Sequence, residues 1–250
     1  MTRVVYPAVA RWRAADDGDA TRFCSTCAFS SACLGQGMDK SALRDLHMLV
    51  EHVGPFTPGQ HVFRAGDPFE AIAAVREGTV KTWRVDREGR EQVLGFHLPG
   101  EIIGLSAIEN ERYPCNAVAL DEAQLCRFSF PRIAVLAARV PGLQKELFRL
   151  MSRDIGHAER LAGDHPADAR LAAFLHDLGE RLARRGFPPG RVHLAMPRAD
   201  IANYLRLAPE TVSRLFRRLQ DAGLLRARGR DVELPDLPGL ARLAEPALGN

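Results

Sequence analysis

The sequence predicts an α+β chain in which a β jelly roll, one long helix and a C-terminal winged helix-turn-helix follow a short cysteine-bearing segment. Three observations predict it. Turn signals rich in Gly and Pro punctuate residues 56–130 at nearly even spacing, the pattern of many short strands closing into a barrel-like sandwich. Apolar residues between Pro141 and Gly163 recur at three- and four-residue steps, as one long helix requires. Residues 198–219 hold two short helical patterns around a three-residue turn, and a Gly-centred hairpin follows them. The expected division is 1–38 for the cysteine segment, 39–140 for the jelly-roll sensor domain, 141–165 for the long helix and 166–250 for the winged helix-turn-helix domain.

Composition sets the outer limits. A chain of 250 residues, 46% hydrophobic and 26% charged, is long enough to bury two modest cores. The formal charge of +3 hides an asymmetry, because residues 187–230 carry nine arginines against Asp200, Glu210 and Asp221. That excess predicts a polyanionic partner. Residues 1–22 contain Arg11, Arg13, Asp16, Asp17 and Asp19 and no long apolar run, so neither a signal peptide nor a membrane span is expected; Val4, Tyr6 and Trp12 are expected to pack locally. Five cysteines, three of them clustered, fit cytoplasmic metal chemistry better than a secreted disulfide framework.

The cluster is Cys24, Cys27 and Cys33, spaced C-x2-C-x5-C. Thiols that converge from one segment can hold a soft metal centre, and such a centre needs a fourth ligand. Cys115 and Cys126 are the candidates, each about ninety residues away, so closing the site would tie the N-terminal segment to the middle of the protein. Structural zinc prefers two separated close pairs, which the third thiol does not supply. An iron-sulfur cluster is wider and accepts three thiolates from one loop with a fourth from elsewhere, so the spacing favours it. Free thiols or a disulfide are the remaining reading. Ser25, Thr26, Ala28, Ser30, Ser31 and Ala32 are small enough for a loop wrapped round a bound group.

From Asp39, Leu43, Leu46, Leu49, Val50 and Val53 predict one helix, capped by Asp39 or Ser41 and stopped by Gly54-Pro55. Antiparallel strands are predicted between the turns of residues 56–130, in short runs such as His61–Phe63, Thr79–Trp83, Gln92–Phe96 and Asn116–Leu120. A second helical pattern begins near Pro131 and strengthens after Pro141-Gly142. There Met151, Ile155, Ala158 and Ala162 form a seam, flanked by Leu143, Leu147, Leu150 and Leu161. Such a seam packs either on its own barrel or on a second copy, and the small Ala158 and the length of the helix favour a homodimer.

Ala167 to Arg185 is predicted helical, and Arg191–Leu194 reads as a strand. Arg198–Leu205 and Pro209–Leu219 follow as the two helices of a helix-turn-helix, with Pro209 at a helix start where its missing N–H is harmless. Ile201, Leu205, Val212, Leu215 and Leu219 would pack the pair together, leaving Glu210, Ser213, Arg214 and Arg217 outward to contact double-stranded DNA. Arg214 can donate a bidentate pair to guanine, Glu210 can accept from a cytosine amino group, and Arg217 and Arg218 suit phosphate. Leu224–Leu234, with Gly229 at its turn, supplies the wing. No Ser/His/Asp set, P-loop or paired-carboxylate signature occurs, so no enzyme is predicted. An electron-transfer iron-sulfur protein is the reading from another class, but some sixty residues spent on a DNA-binding unit argue against it.

The order of cysteine loop, barrel, long helix and winged helix resembles the Crp/Fnr superfamily of bacterial transcription regulators, and in particular its oxygen-responsive FNR-type members. Three stretches carry the resemblance: the cysteine loop, Gly95-Phe96-His97-Leu98-Pro99-Gly100-Glu101-Ile102-Ile103-Gly104, and Glu210-Thr211-Val212-Ser213-Arg214. It implies a 4Fe-4S cluster on Cys24, Cys27, Cys33 and Cys126, the last matched through Leu125-Cys126-Arg127-Phe128-Ser129-Phe130. It also implies a palindromic TTGAT-type site, RNA polymerase as a partner, and activation in the absence of oxygen. The alternative is a Crp-like regulator responding to another ligand or to thiol redox state, with the cysteines binding zinc or forming disulfides. Cyclic-nucleotide-binding relatives hold the phosphate with Arg-Ser where this chain has Pro114-Cys115, which disfavours that ligand. The eight histidines are scattered and mark no haem site.

Overall fold

The computed structural model describes Cys24, Cys27 and residues 33–248. Val4, Tyr6 and Trp12, and the small residues between Cys27 and Cys33, lie outside the described residues. Helix α1 (Lys40–His47) starts where expected, because the Asp39 carboxylate accepts a 2.8 Å hydrogen bond from the Ala42 N–H. It stops earlier than expected. Val50 and Val53 belong not to the helix but to strand β1 (Val50–Phe56), which pairs antiparallel with β8 (Ala123–Ser129). Gly54-Pro55 sits inside β1, where the register slips between Val53 and Phe56; β1 is an edge strand, the place where a proline costs no ladder hydrogen bond.

The remaining strands are β2 (His61–Phe63), β3 (Ala71–Glu77), β4 (Val80–Val85), β5 (Glu91–His97), β6 (Ile102–Ile103) and β7 (Asn116–Ala119). They form two four-stranded sheets in the orders β1-β8-β3-β6 and β2-β7-β4-β5, the jelly-roll arrangement. Ala73, Val75, Val80, Ile103, Ala117 and Leu125 fill the space between the sheets. Strand β3 is buried on both faces, so its sequence does not alternate. Ile72 and Ala74 face the opposite side, where they meet Leu34, Leu46, Ile133, Leu143 and Leu150 from the cysteine segment and the helices. Gly78 closes the β3–β4 turn at φ +78°, with Glu122 O only 2.3 Å from where a Cβ would stand, so no larger residue fits.

Helix α2 (Phe130–Arg139) runs straight out of β8, and α3 (Pro141–Ala162) is the long helix. Leu143 and Leu150 are buried against the barrel, and Leu147 and Met151 pack beside them. Farther along, Ile155 is 61% exposed, and Ala158 and Ala162 are open to solvent. The predicted seam therefore divides: Met151 belongs partly to the chain's own core, while the other three face outward.

Beyond Gly163 come α4 (Ala167–Ala183), β9 (Arg191–His193), α5 (Arg198–Tyr204), α6 (Pro209–Asp221), β10 (Arg226–Arg228), β11 (Asp231–Glu233) and α7 (Leu237–Leu248). A three-stranded sheet in the order β10-β11-β9 forms the wing, and α7, which the sequence reading left unassigned, packs along α4. The core of this unit includes Leu171, Leu175, Ile201, Val212 and Leu219, and it continues into Val93, Phe96 and Leu98 of the jelly roll.

Candidate cysteine centre and nucleic-acid interface

The antiparallel register places Cys126 opposite both His52 on β1 and Ala74 on β3, on the sheet face that the N-terminal segment covers. Cys24, Cys27 and Cys33 arrive over the same face, near enough that the charges of the four thiols act on one another. Cys115 stands apart, buried beside Arg84 rather than among the other thiols. All five cysteines are free thiols. Burial is the main cause that pushes Cys24 and Cys33 up to about 12 and Cys126 up to about 11, with thiol–thiol repulsion adding to it. The Leu34 N–H at Cys33 and the Arg76 charge near Cys126 offset only part of this rise, whereas a cationic centre among the thiols would displace the protons. Two histidines that the sequence reading passed over border the group: His47 Nδ1 lies 3.8 Å from Cys24 Sγ, and His52 Nδ1 lies 3.6 Å from Cys126 Sγ. Among the described residues, no three His, Cys, Asp or Glu side chains converge tightly enough to hold a single metal ion. A four-iron cluster has its corners farther apart, and the donor set, four thiols from two remote segments, fits that group.

The cysteine segment is also seated on the long helix. Leu34, next to Cys33, is fully buried in the cluster that contains Leu143 and Leu150 of α3. Two residues on, the Gln36 side-chain carbonyl accepts a 2.8 Å hydrogen bond from Arg149, whose guanidinium also pairs with the buried Glu146 at 2.5 Å. The residues that follow Cys33 therefore touch α3 at two points, Leu34 and Gln36.

On the DNA-binding unit, Val212, Leu215 and Leu219 of α6 are buried against Ile201 and Leu205, as the spacing predicts. Glu210, Ser213, Arg214, Arg217 and Arg218 are exposed on the opposite face. Pro209 occupies the first helical position. The Ser213 hydroxyl donates to Pro209 O at 2.9 Å, Arg214 reaches Thr211 Oγ1 at 3.3 Å, and Arg218 pairs with Asp168 at 3.5 Å. The turn between α5 and α6 puts Arg206 at φ +54°, a strained setting for a residue with a Cβ, and Leu207 N–H bonds back to Ala202 O at 2.9 Å. The wing carries Arg226, Arg228 and Arg230, all exposed.

Between the jelly roll, α3 and the DNA-binding unit lies a cavity of about 750 Å³, lined by Arg84, His97, Cys115, Arg153, Arg181 and Tyr204 among others. Cys115 of the Pro114-Cys115 pair contributes to its wall.

Comparison with known proteins agrees with this architecture. Residues 54–139 match the cyclic nucleotide-binding domain family, and residues 169–243 match the Crp-like helix-turn-helix domain family. The transcriptional activator protein FnrA of Stutzerimonas stutzeri is 40% identical over 228 residues, covering 90% of this chain and 93% of that protein. The chain is an FNR-type member of the Crp/Fnr superfamily. The fumarate and nitrate reduction regulatory protein of Escherichia coli strain K12 is 36% identical over 235 residues, covering 93% of this chain and 94% of that one. Among solved structures, FixK2 from Bradyrhizobium japonicum superposes with a TM-score of 0.70 at 26% identity, covering 78% of this chain and 98% of its own. As a Crp/Fnr member the chain is a DNA-binding transcription regulator and not an enzyme. None of its described helices is long and apolar enough to cross a membrane.

Proposed function

We propose that this regulator is a cytoplasmic oxygen sensor in which a 4Fe-4S cluster on Cys24, Cys27, Cys33 and Cys126 promotes homodimerisation and sequence-specific DNA binding in the absence of oxygen. The reading rests on one observation above the others: Cys126 on β8 lies under the segment that carries the three clustered cysteines, and that segment is seated on α3 through Leu34 and Gln36. When bound, the cluster supplies an oxygen-labile link between the segment and the sheet. Cys24, Cys27 and Cys33 hold the segment, and Cys126 anchors it to β8. Leu34 and Gln36 set the position of α3, whose Met151, Ile155, Ala158 and Ala162 meet the same residues of a second copy across a two-fold axis. Paired α6 helices then present Glu210, Ser213 and Arg214 to the two halves of a TTGAT-type inverted repeat, with Arg217 on phosphate. At promoters where the bound dimer activates, RNA polymerase is the partner.

Anaerobic purification followed by iron and sulfide analysis tests the proposal. About four iron and four sulfide per chain are expected, lost on exposure to air. Stoichiometric zinc, or a metal-free anaerobic protein that binds DNA fully, would overturn it.

A further inference from the structure

The interface between the jelly roll and the DNA-binding unit is more elaborate than a hinge needs. Glu101 lies in the Pro99-Gly100-Glu101 turn, and its backbone is fixed to β3 by the Gly100 N–H to Val75 O bond at 2.7 Å and the Val75 N–H to Glu101 O bond at 2.9 Å. Its carboxylate is 7% exposed and receives four donors. Arg181 of α4 approaches both oxygens, at 2.8 Å from Nε and 2.5 Å from Nη2; Arg185 gives 2.8 Å, and the Leu98 N–H gives 3.0 Å. Arg181 also donates to Phe96 O at 2.5 Å, and Arg185 donates to Pro99 O. A planar guanidinium fork on a carboxylate fixes direction as well as distance.

The rest of the interface repeats that directional character. Strand β5 is a sheet edge, and Asn203 of α5 pairs with it as a further strand would, accepting from Val93 N–H at 2.7 Å and donating to Glu91 O at 2.8 Å. Lys81 meets Asp200 at 2.8 Å with both side chains largely covered. Phe96 packs against both Phe174 and Tyr204, with ring centroids at 6.1 and 5.3 Å, and those two rings meet each other at 5.7 Å. The docking leaves Glu210, Ser213, Arg214 and Arg217 of α6 exposed, and likewise Ile155, Ala158 and Ala162 of α3. It therefore blocks neither DNA nor a second copy.

We infer that Glu101 is a positioning residue for DNA recognition: by clamping α4 to the jelly roll it fixes the direction in which each copy presents its recognition helix, and so sets the half-site spacing that a dimer accepts. Duplex DNA turns once in about 10 base pairs, so moving one half-site by a single pair rotates it by about 35°. A rigidly held pair of recognition helices tolerates little of that rotation, whereas a pair on loose tethers follows it. A buried ion pair is poor evidence for net stability, but it specifies one geometry over its neighbours, which is the property used here.

The test uses full-length, anaerobically prepared protein and a DNA series. The series comprises the inverted repeat that wild type prefers, the same half-sites moved one and two base pairs closer and farther, and a single half-site. With Glu101→Gln, the preference for the favoured spacing over its one-pair neighbours should fall at least fivefold, while affinity for the single half-site stays within twofold of wild type. Should Glu101→Gln fail to fold, Asn203→Ala and Lys81→Ala loosen the same interface at its rim and are judged by the same criterion. Unchanged spacing preference in every folded variant overturns the inference. So does a loss on the single half-site as large as that on the repeat, because it would place the effect within the DNA-binding unit itself. Each comparison is against wild type on DNA and does not depend on which group the cysteines hold.

Discussion

The thiol of Cys126 on β8 lies 3.6 Å from Nδ1 of His52, its direct partner across the ladder on β1. The pairing matters because it places Cys126, and not Cys115, on the sheet face that the cysteine segment covers. Replacing Cys126 with Ser should abolish retention of the iron-sulfur cluster as completely as replacing Cys24, Cys27 or Cys33, while Cys115→Ser should retain it. Visible absorption and iron content of the anaerobically isolated variants decide, and the reverse pattern would move the fourth ligand to Cys115.

Base reading by α6 separates from backbone contact in a measurable way. Arg214→Ala or Glu210→Ala should each cost about 1–3 kcal/mol on the specific site and relax the preference at one base pair. Arg217→Ala should weaken specific and random DNA alike and shallow the dependence of affinity on salt. Titrations on matched and single-base-altered duplexes at two salt concentrations test both. Equal losses for Arg214→Ala on specific and random DNA would reduce it to a backbone contact.

Acid should dissolve the Glu101 clamp only after it has protonated most other carboxylates. The Arg181 and Arg185 guanidiniums outweigh burial and hold Glu101 at about 2, against an ordinary 4.5. The unfolded chain therefore takes up the proton first, so the clamp contributes fully above pH 4.5 and is lost as pH falls from there toward 2. The contribution at neutral pH is on the order of 3 kcal/mol. Desolvation holds His97 at about 4, and it acts with the same sign in a higher window, from 6.5 down to 4. Unfolding free energies measured between pH 7 and pH 2 should fall in both windows for wild type, and Glu101→Gln should flatten the lower one and, because the Glu101 charge favours protonated His97, carry the upper one to lower pH. An unchanged lower limb in that variant would show that the clamp does not titrate.

Much of this fold was legible because its signals are local. The cysteine spacing, the turn sequence, the apolar seam of α3 and the two helices around Arg206-Leu207-Ala208 each lie within a few tens of residues. Strand β1 was misread as helix because Val50 and Val53 keep a three-residue step and begin only three residues after α1 ends, while the β8 partner that makes them a strand is more than seventy residues away. Strand β3 was missed because both its faces are covered, which erases the alternation that marks a strand. The Glu101 network was invisible for a related reason: a Glu after Pro-Gly reads as a solvated turn until Arg181, eighty residues later, is brought to it. At the proposed site, three cysteines share one short segment, but that Cys126 rather than Cys115 lies under it shows only in the strand register.

The dimer seam offers the sharpest test of how the sensor reaches DNA. Phe148 and Ile155 are 59% and 61% exposed on α3, and Ala158 and Ala162 continue the open surface toward Gly163. Large apolar side chains so exposed on a long helix mark a face made for a partner. In a two-fold pairing, each seam residue lies near its own copy, so a carboxylate at Ala158 is set against an identical carboxylate. Ala158→Asp and Ile155→Asp should therefore weaken the anaerobic dimer at least about tenfold, equivalent to about 1.4 kcal/mol, while leaving the cluster in place. Affinity for the inverted repeat should drop toward that of a single half-site. The wild-type seam must also be marginal, because a cluster shifts an equilibrium only by its differential stabilisation of one state, and a tight dimer would not respond to its loss. Sedimentation of wild type and Ala158→Asp, before and after exposure to air, reads both points. A wild type that stays equally dimeric after losing its cluster would refute switching by dimerisation, and the surviving mechanism would be reorientation of the DNA-binding units within a permanent dimer, about the interface that Glu101 holds.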